Sequence, residues 1–278
     1  MRWKKLFTPV ESLDADQAKT FMEQHKEGTY TLLDVRQPSE YEEGHLPGAT
    51  LIPLPQLTDR MDELDPGKPV ITYCAVGGRS RAAGQLLSGK GFDEVYNLKG
   101  GIKAWEDRTA EGPAELGEVH LTGDETVKDM MAYLYAMEAG LEKFYRKAAQ
   151  TVSDTETAAL LKKLSGIETL HKDRLLRLFK DFNPEPEELA AFESASATHL
   201  MEGGFDIENF LNQNRSAMQT VGGVLDIAMM LETHGLDLYL RYARQARTPE
   251  AQKILFDLAG EEKAHLKALG ELLEKKVV

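Results

Sequence analysis

The chain has 278 residues, of which 42% are hydrophobic, and a formal net charge of -13. This length predicts two domains rather than one, and the acidity argues against binding nucleic acid or an anionic membrane surface, which both need a basic face. A single cysteine excludes an internal disulfide, and the N-terminus lacks the apolar core of a signal peptide. No apolar run approaches the roughly 20 residues that span a bilayer, so we expect a soluble, cytoplasmic protein.

Short apolar runs alternate with helical stretches in the first segment, residues 1–112. The pattern predicts strands at residues 30–35, 49–54, 70–74 and 94–98, and helices at residues 15–26 and 79–88. Asp14, followed three residues later by Gln17, predicts a capping box at the start of the first helix. Such alternation predicts a parallel sheet with helices on its faces, and ligands then bind beyond the carboxyl ends of the strands.

One strand of this series, within residues 70–81 (VITYCAVGGRSR), ends at the only cysteine of the chain, Cys74. Gly77 and Gly78 permit a tight loop in which backbone N-H groups and the positive end of the next helix point at the sulfur. Such surroundings favour the thiolate, so Cys74 is predicted to be an anion at neutral pH. The alternative is an inert buried thiol at the end of a strand.

Four motifs follow one another across about a hundred residues. They are LLDVR at residues 32–36, EYEEGHLPGA at 40–49, CAVGGRS at 74–80 and GGIKAW at 100–105. Together they resemble the successive motifs of the rhodanese family. The resemblance implies a sulfurtransferase in which Cys74 takes a sulfane sulfur from a donor such as thiosulfate. The cysteine would hold the sulfur as a persulfide and pass it to a thiol or to cyanide.

The loop from Cys74 to Arg79 has six residues, whereas related phosphatases use a loop one residue longer, so sulfur chemistry is favoured over phosphate. By the resemblance Arg79 closes the cradle around the sulfur and offers a cation to an anionic donor. The remaining predicted substrate-binding residues of this loop are Ala75, Val76, Gly77, Gly78 and Ser80. Arg36 is interpreted as pairing with an acid to hold the fold, with a catalytic role left open. His45 is assigned no catalytic role, because a buried hydrogen-bonded histidine explains it equally well.

The sequence changes character after residue 105, and beyond residue 122 the alternation of strands and helices stops. Residues 106–122 are acidic, contain glycine and proline and show no sustained period, which is typical of a linker. We place the linker at residues 113–122, between a rhodanese-like domain at residues 1–112 and a helical domain at residues 123–278.

Four long helices are predicted in the second domain. They are expected at about residues 124–151, 153–183, 215–246 and from 249 onward. Ser153 with Glu156 predicts a capping box for the second helix, and Thr248 with Pro249 predicts the start of the fourth. Short first and third connections fold each pair antiparallel, and the long stretch at 182–214 joins the pairs. The predicted topology is an all-α four-helix bundle with one crossover.

An internal repeat places two single glutamates and two Glu-x-x-His motifs in matched frames: Glu138, Glu168, His171, Glu232, Glu262 and His265. Each single glutamate precedes the glutamate of its motif by 30 residues, so the carboxylates should meet at one level of the bundle. Four buried glutamate charges would cost far more than the stability of a domain unless two divalent cations neutralised them. This is the ligand pattern of carboxylate-bridged di-iron and di-manganese bundles. The alternative is a bundle with solvated acids and structural histidines.

Residues 122–276 resemble the rubrerythrin branch of the ferritin-like family. The resemblance implies that these six residues bind two iron ions, with manganese as the alternative, and that Glu168 and Glu262 bridge the metals. It also implies reaction with peroxide or dioxygen, an unidentified external electron donor, and a homodimer, since bundles of this family often pair. Gly235 stands where typical rubrerythrins carry a further glutamate. One cysteine cannot supply their four-cysteine rubredoxin module.

The sequence therefore predicts a sulfurtransferase fused to a di-iron protein. The fusion suggests that sulfur on Cys74 and oxidant reduction at the metals belong to one process, such as sulfur handling under oxidative stress. The alternative is a regulatory or sulfur-sensing rhodanese module on an iron-binding or iron-storage bundle.

Overall fold

The computed structural model describes residues 10–112, 126–197, 201, 206–246 and 248–277. Backbone contacts divide the chain into two compact units, Met1–Gly117 with Leu236–Glu261, and Glu118–Gly235 with Glu262–Val278. This grouping differs from the predicted boundaries, because residues 236–261 join the first unit rather than the helical domain at 123–278. The predicted linker at 113–122 lies outside the described residues. The division into domains stays a prediction.

The first unit contains a parallel sheet, as predicted. Among the described residues the sheet has five strands in the order β1-β5-β4-β2-β3, and every pairing is parallel. The strands are β1 (Glu11–Leu13), β2 (Thr31–Asp34), β3 (Thr50–Leu51), β4 (Val70–Tyr73) and β5 (Val95–Leu98). All four residues of the central β4 are buried, as expected for a strand covered on both faces.

Two strands differ from the prediction. β1 was not predicted, because one exposed and two partly buried residues at an edge carry too little apolar signal. The strand forms by pairing with β5. β3 covers two residues instead of the predicted 49–54. Pro53 has no N-H for a ladder, and the chain turns there into a short 3-10 segment at Leu54–Gln56.

The helices around the sheet are α1 (Ala15–Gln24), α2 (Pro38–Glu42), α3 (Leu57–Arg60) and α4 (Gly78–Lys90). The predicted capping box of α1 is confirmed. The Gln17 N-H donates to Asp14 Oδ1 at 2.9 Å, and the Asp14 N-H donates to Gln17 Oε1 at 3.0 Å. Gly77 caps α4 with a φ of 94°, a left-handed angle that favours glycine, and thereby lets β4 pass directly into the helix.

The remaining helices are α5 (Val127–Thr151), α6 (Thr155–Asp181), α7 (Pro186–Ser194), α8 (Ile207–Gln213), α9 (Val221–Gln245) and α10 (Pro249–Val277). α7 and α8 lie in the stretch that was predicted only as a connection. In the described part of the chain, no helix combines the length and the apolar composition needed to cross a bilayer.

The predicted starts of three helices have different outcomes. Thr248 caps α10 as predicted, since the Ala251 N-H donates to Thr248 Oγ1 at 3.2 Å. The capping box at Ser153 is wrong, because Asp154 accepts the Thr157 N-H at 2.7 Å and α6 begins one residue later. α9 begins at residue 221 rather than 215, after a short 3-10 turn at Ala217–Gln219.

The core of the second unit joins residues from α5, α6, α8, α9 and α10. Leu141, Phe144, Leu161, Leu225 and Leu269 are among its buried members. The Phe144 ring meets the Phe210 ring of α8 edge to face at a centroid distance of 5.3 Å. The stretch between α6 and α9 therefore contributes side chains to the core.

A glycine turn after β5 closes over the loop that follows β4. Gly101 has a φ of 62°, and the next two N-H groups donate to the carbonyl oxygens of Cys74 at 2.8 Å and Ala75 at 3.2 Å. A Cβ on Gly101 would clash with the Cys74 carbonyl oxygen. The turn thus requires glycine both for its backbone angle and for this close approach.

We expect Gly101→Ala to lower the free energy of unfolding by about 3 kcal/mol or more, because backbone strain adds to the clash. Gly91→Ala is the matched control. Gly91 also has a positive φ, 102°, but a Cβ there meets open space, so only about 1 kcal/mol of strain is expected. Urea unfolding of both variants measures the difference. Equal losses would show that the Cys74 carbonyl does not restrict residue 101.

Candidate active site and metal centre

Cys74 follows β4 directly and turns its sulfur toward the start of α4. Its Sγ accepts hydrogen bonds from the Gly77 N-H at 3.1 Å and from Ser80 Oγ at 3.4 Å. Ser80 Oγ also lies 2.6 Å from Asn97 Oδ1, so its single proton is shared between two acceptors. A Cβ on Gly77 would lie 3.2 Å from the Leu98 carbonyl oxygen, which leaves little room for a larger residue at the base of the loop.

The pKa of the Cys74 thiol depends on two opposing effects. Burial raises it. Hydrogen bonds from the Ser80 hydroxyl and from the N-H groups of Ser80, Val76 and Gly77 lower it by a larger amount together, so the net pKa falls below the ordinary thiol value. The direction is the one that the glycine loop and helix start predict. Cys74 as a whole is 1% exposed and packs with the apolar core, whereas Val76 in the loop is 62% exposed.

Arg79 is part of the cysteine loop, and its guanidinium forms an ion pair with Glu40 that the sequence analysis missed. Its Nη1 and Nη2 donate to the two carboxylate oxygens of Glu40 at 2.7 and 2.6 Å. The hydrogen bonds from Arg79 hold the pKa of Glu40 at about 2. The hydrogen bonds to Glu40 also raise the pKa of Arg79. Burial lowers it by less, and Coulomb attraction to Glu40 and to Cys74 adds to the rise. Only the presence of Glu40 in the second motif could have suggested this pair.

The other predicted substrate-binding residues of the loop differ in their surroundings. The Ala75 carbonyl is tied down by the turn after β5, and Val76 faces solvent. Gly78 begins α4, and a Cβ there would meet nothing within 4 Å. With Gly77 and Ser80 at the sulfur, these residues form the loop around Cys74.

Arg36 pairs with an acid, as predicted. Its Nε and Nη2 donate to Asp34 Oδ2 at 2.9 and 2.6 Å, and Nη2 also donates to the Gly44 carbonyl at 2.6 Å. Both charged side chains are buried. Arg36 therefore links the end of β2 to the segment that follows α2.

His45 is a buried, hydrogen-bonded residue. Its Nδ1 lies 2.9 Å from the Tyr41 carbonyl oxygen, its ring stacks on the Tyr41 ring, and its Nε2 lies 3.3 Å from Asp237 Oδ2. Asp237 also accepts the Gly48 N-H at 2.8 Å and an Arg241 N-H at 3.0 Å. These contacts hold the segment between α2 and β3, and the sequence analysis missed Asp237.

The six predicted metal ligands lie together in the second unit. The ligand atoms of Glu138, Glu168 and His171 are within 4.8 Å of one another, and so are those of His171, Glu262 and His265. The sixth, Glu232, has its Oε2 3.7 Å from His265 Nδ1. The two imidazole rings stack with their centroids 4.7 Å apart and so join the two halves of the group.

These carboxyl groups are buried close to one another. None of the four glutamates is more than 2% exposed. Burial, with added repulsion from the carboxylates of Glu232 and Glu138, holds the pKa of Glu168 well above its ordinary value. Burial lowers the pKa of His171, but its hydrogen bonds to Glu138 and Glu168 outweigh this and raise it to about 11. Within the described residues, Glu168 Oε1 is buried without a hydrogen-bond donor.

Glu142 lies one turn beyond Glu138 on the same helix but is not one of the six clustered residues. It is also buried, but Lys172 and Arg146 both contact its carboxylate. Its charge is balanced by protein cations. The six clustered residues instead offer four carboxylates and two imidazoles to a common space, a donor set that fits two divalent iron or manganese ions.

The known proteins to which this chain is similar match its N-terminal region. The family model for the rhodanese-like domain matches residues 15–108. The uncharacterized protein YqhL of Bacillus subtilis (strain 168) is 51% identical over 74 residues, which are 27% of this chain and 59% of that protein. This chain therefore spans less than two thirds of that relative.

Two solved structures are similar to the same region. The rhodanese-like domain protein from Staphylococcus aureus is 28% identical, over 35% of this chain and 93% of that chain, with a TM-score of 0.33. A rhodanese-related protein from Thermoplasma volcanium is 32% identical, over 34% of this chain and 90% of that chain, with a TM-score of 0.31.

The matched region contains strands β2 to β5 of the parallel sheet, the loop around Cys74 and the glycine turn that closes over it. Its helices α1 to α4 flank the sheet, with Glu40 on α2 and with Arg79 and Ser80 at the start of α4. The N-terminal part of this chain, residues 15–108, is thus a rhodanese-like domain.

Proposed function

We propose that this protein is a sulfurtransferase that carries sulfane sulfur as a persulfide on Cys74, joined to a di-iron carboxylate centre that reduces peroxide or dioxygen. The observation that carries the first part is the hydrogen bonding of Cys74 Sγ by the Gly77 N-H and the Ser80 hydroxyl inside a rhodanese-like domain. The second part is supported by six clustered ligands on helices α5, α6, α9 and α10. We assign these four helices to a ferritin-like bundle.

The sulfur chemistry begins with the Cys74 thiolate. It attacks the outer sulfur of thiosulfate, a bond forms between Sγ and that sulfur, and the sulfur-sulfur bond of the donor breaks so that sulfite leaves with the electron pair. A thiolate or cyanide then attacks the terminal sulfur, and the Cys74 thiolate is released. The Gly77 N-H and the Ser80 hydroxyl stabilise the negative sulfur before and after the transfer.

In the helical region, the metals would be held by Glu138, Glu168, His171, Glu232, Glu262 and His265, with Glu168 and Glu262 as the bridging ligands. Iron held there in its reduced state would supply electrons to peroxide or dioxygen, and an external donor would have to restore them. The chain itself supplies four carboxylates that are almost fully buried. Lys172 and Arg146 keep the nearby Glu142 out of the ligand set by pairing with it.

Cys74→Ser should abolish sulfur transfer from thiosulfate to cyanide, because a serine hydroxyl is not ionised near neutral pH and forms no persulfide.

Ser80→Ala should raise the pKa of Cys74, since it removes a donor to the thiolate. The midpoint of the pH profile for alkylation of Cys74 then moves to higher pH, and the rate at pH 7 falls. Iodoacetamide labelling followed by mass spectrometry measures the midpoint.

The control for this profile is Ser88→Ala, which changes the same residue type near the other end of α4 and should leave the midpoint unchanged. An unchanged midpoint in Ser80→Ala would contradict the proposed stabilisation of the thiolate. If the unaltered protein transfers no sulfur from thiosulfate to cyanide or to a thiol, the domain acts as a regulatory or sulfur-sensing module instead.

Protein purified without added metal should contain about two iron or manganese ions per chain, which elemental analysis and an absorption spectrum can identify. Glu168→Gln should reduce this content to about one ion or less, because a neutral amide binds these cations poorly. Glu142→Gln is the control, since it also neutralises a buried glutamate of this region. Equal metal content in all three proteins would rule out the ligand set, and bound metal without peroxide consumption would indicate iron storage.

The fusion predicts that the two activities are coupled. A persulfide donor or thiosulfate should accelerate peroxide consumption by the iron-loaded protein, and Cys74→Ser should remove the acceleration while retaining the iron. Peroxide consumption is followed with and without the sulfur donor in both proteins. If the acceleration persists in Cys74→Ser, the two activities are independent.

A further inference from the structure

The cation that a rhodanese-like loop would offer to an anionic donor is already neutralised in this protein. Both terminal nitrogens of Arg79 donate to Glu40, in the two parallel hydrogen bonds of 2.7 and 2.6 Å that characterise strong guanidinium-carboxylate pairs. The side chains are 37% and 32% exposed, so the pair lies where a donor from solvent can reach it. A dianion that needs Arg79 must therefore compete with an internal carboxylate.

The position of Glu40 is determined by the helix that carries it. Glu40 is the third residue of α2, and its Oε2 also accepts the N-H of Gln37 at 3.2 Å, the return bond of a capping box. The next residue, Tyr41, is buried, and its hydroxyl donates to the Ala49 carbonyl at 3.1 Å. The carboxylate is thus held toward Arg79 by a short, anchored helix.

Neutralisation of Arg79 by Glu40 affects how well the loop can stabilise the leaving group of the sulfur donor. Thiosulfate transfers its outer sulfur and leaves as the sulfite dianion, which a free guanidinium would stabilise. A persulfide of an organic thiol leaves as a thiolate with a single negative charge. Val76, in the same loop as Arg79, is apolar and exposed, which suits the carbon chain of such a thiol better than an oxyanion.

We propose that Glu40 is a positioning residue that, by occupying Arg79, directs the Cys74 loop toward persulfides of organic thiols and away from thiosulfate. This inference rests on the proposed sulfur transfer to Cys74. In the favoured reaction the Cys74 thiolate attacks the outer sulfur of R-S-SH. The bond from Sγ to that sulfur forms, the donor's sulfur-sulfur bond breaks, and R-S⁻ leaves with the electron pair. The proton stays on the transferred sulfur, so no oxidant or reductant is needed.

Glu40→Gln is the decisive variant, because glutamine can still accept the Gln37 N-H and so preserves the cap while the charge is lost. Two matched proteins accompany it. Glu42→Gln removes a charge from an exposed side chain of the same helix, and Glu40→Asp retains the charge at residue 40. Loading of Cys74 is measured as sulfite released from thiosulfate and as thiol released from cysteine persulfide, over a range of donor concentrations.

The expected result is that Glu40→Gln raises the preference for thiosulfate over cysteine persulfide by about threefold to fivefold, the range expected for an exposed ion pair. The change should lie mainly in the half-saturating thiosulfate concentration, and the maximal rate with cysteine persulfide should change little. Glu42→Gln and Glu40→Asp should keep the preference of the unaltered protein, and a purely structural role for Glu40 would instead lower both donor reactions together.

An unchanged preference in Glu40→Gln, or the same shift in Glu42→Gln, would overturn this inference while leaving sulfur transfer intact. Mass spectrometry of Cys74 separates this outcome from failure of the proposed function. If neither donor adds a sulfur atom to Cys74 in the unaltered protein, both the proposed function and the role of Glu40 are wrong.

Discussion

Hydrogen bonding of one sulfur by a tightly turned backbone is the interaction on which the rhodanese-like domain depends. The loop can direct N-H groups at Cys74 only because Gly77 adopts a left-handed angle and α4 begins at the next residue. The turn at Gly101 holds the loop from the other side through the carbonyls of Cys74 and Ala75. Burial alone would favour the neutral thiol, so this geometry decides the chemistry of the residue.

Two arginines, Arg36 and Arg79, each pair with a carboxylate, but the difference in their burial gives the two pairs different roles. Arg36 and Asp34 are both buried, and the guanidinium also binds the Gly44 carbonyl, so the pair holds the fold. Arg79 and Glu40 form an equally short pair, but it remains accessible from solvent. An accessible pair can exchange one partner for a substrate, whereas separating the buried pair would leave an uncompensated charge.

The helical region poses the same question of charge balance. Glu142 is compensated by Lys172 and Arg146. Glu168 lies among other carboxylates, and one of its oxygens is buried with no donor in the part of the chain that the structure describes. Keeping such acids ionised in a dry interior requires positive charge from elsewhere. Lys172 and Arg146 fill this role at Glu142, and we propose that metal ions fill it among the clustered carboxylates and imidazoles around Glu168.

Local rules allowed the sequence by itself to determine the parallel sheet, the caps at Asp14 and Thr248, and the position of Cys74 after a strand, because these features depend on residues only a few positions apart. The matched spacing of the Glu-x-x-His motifs likewise predicted six residues that do lie together. Only the tertiary structure revealed the edge strand β1, the Asp237 contact with the segment after α2, and the partner of Arg79. Each depends on residues far apart in the chain, whose separation in space is determined by packing rather than by local pattern.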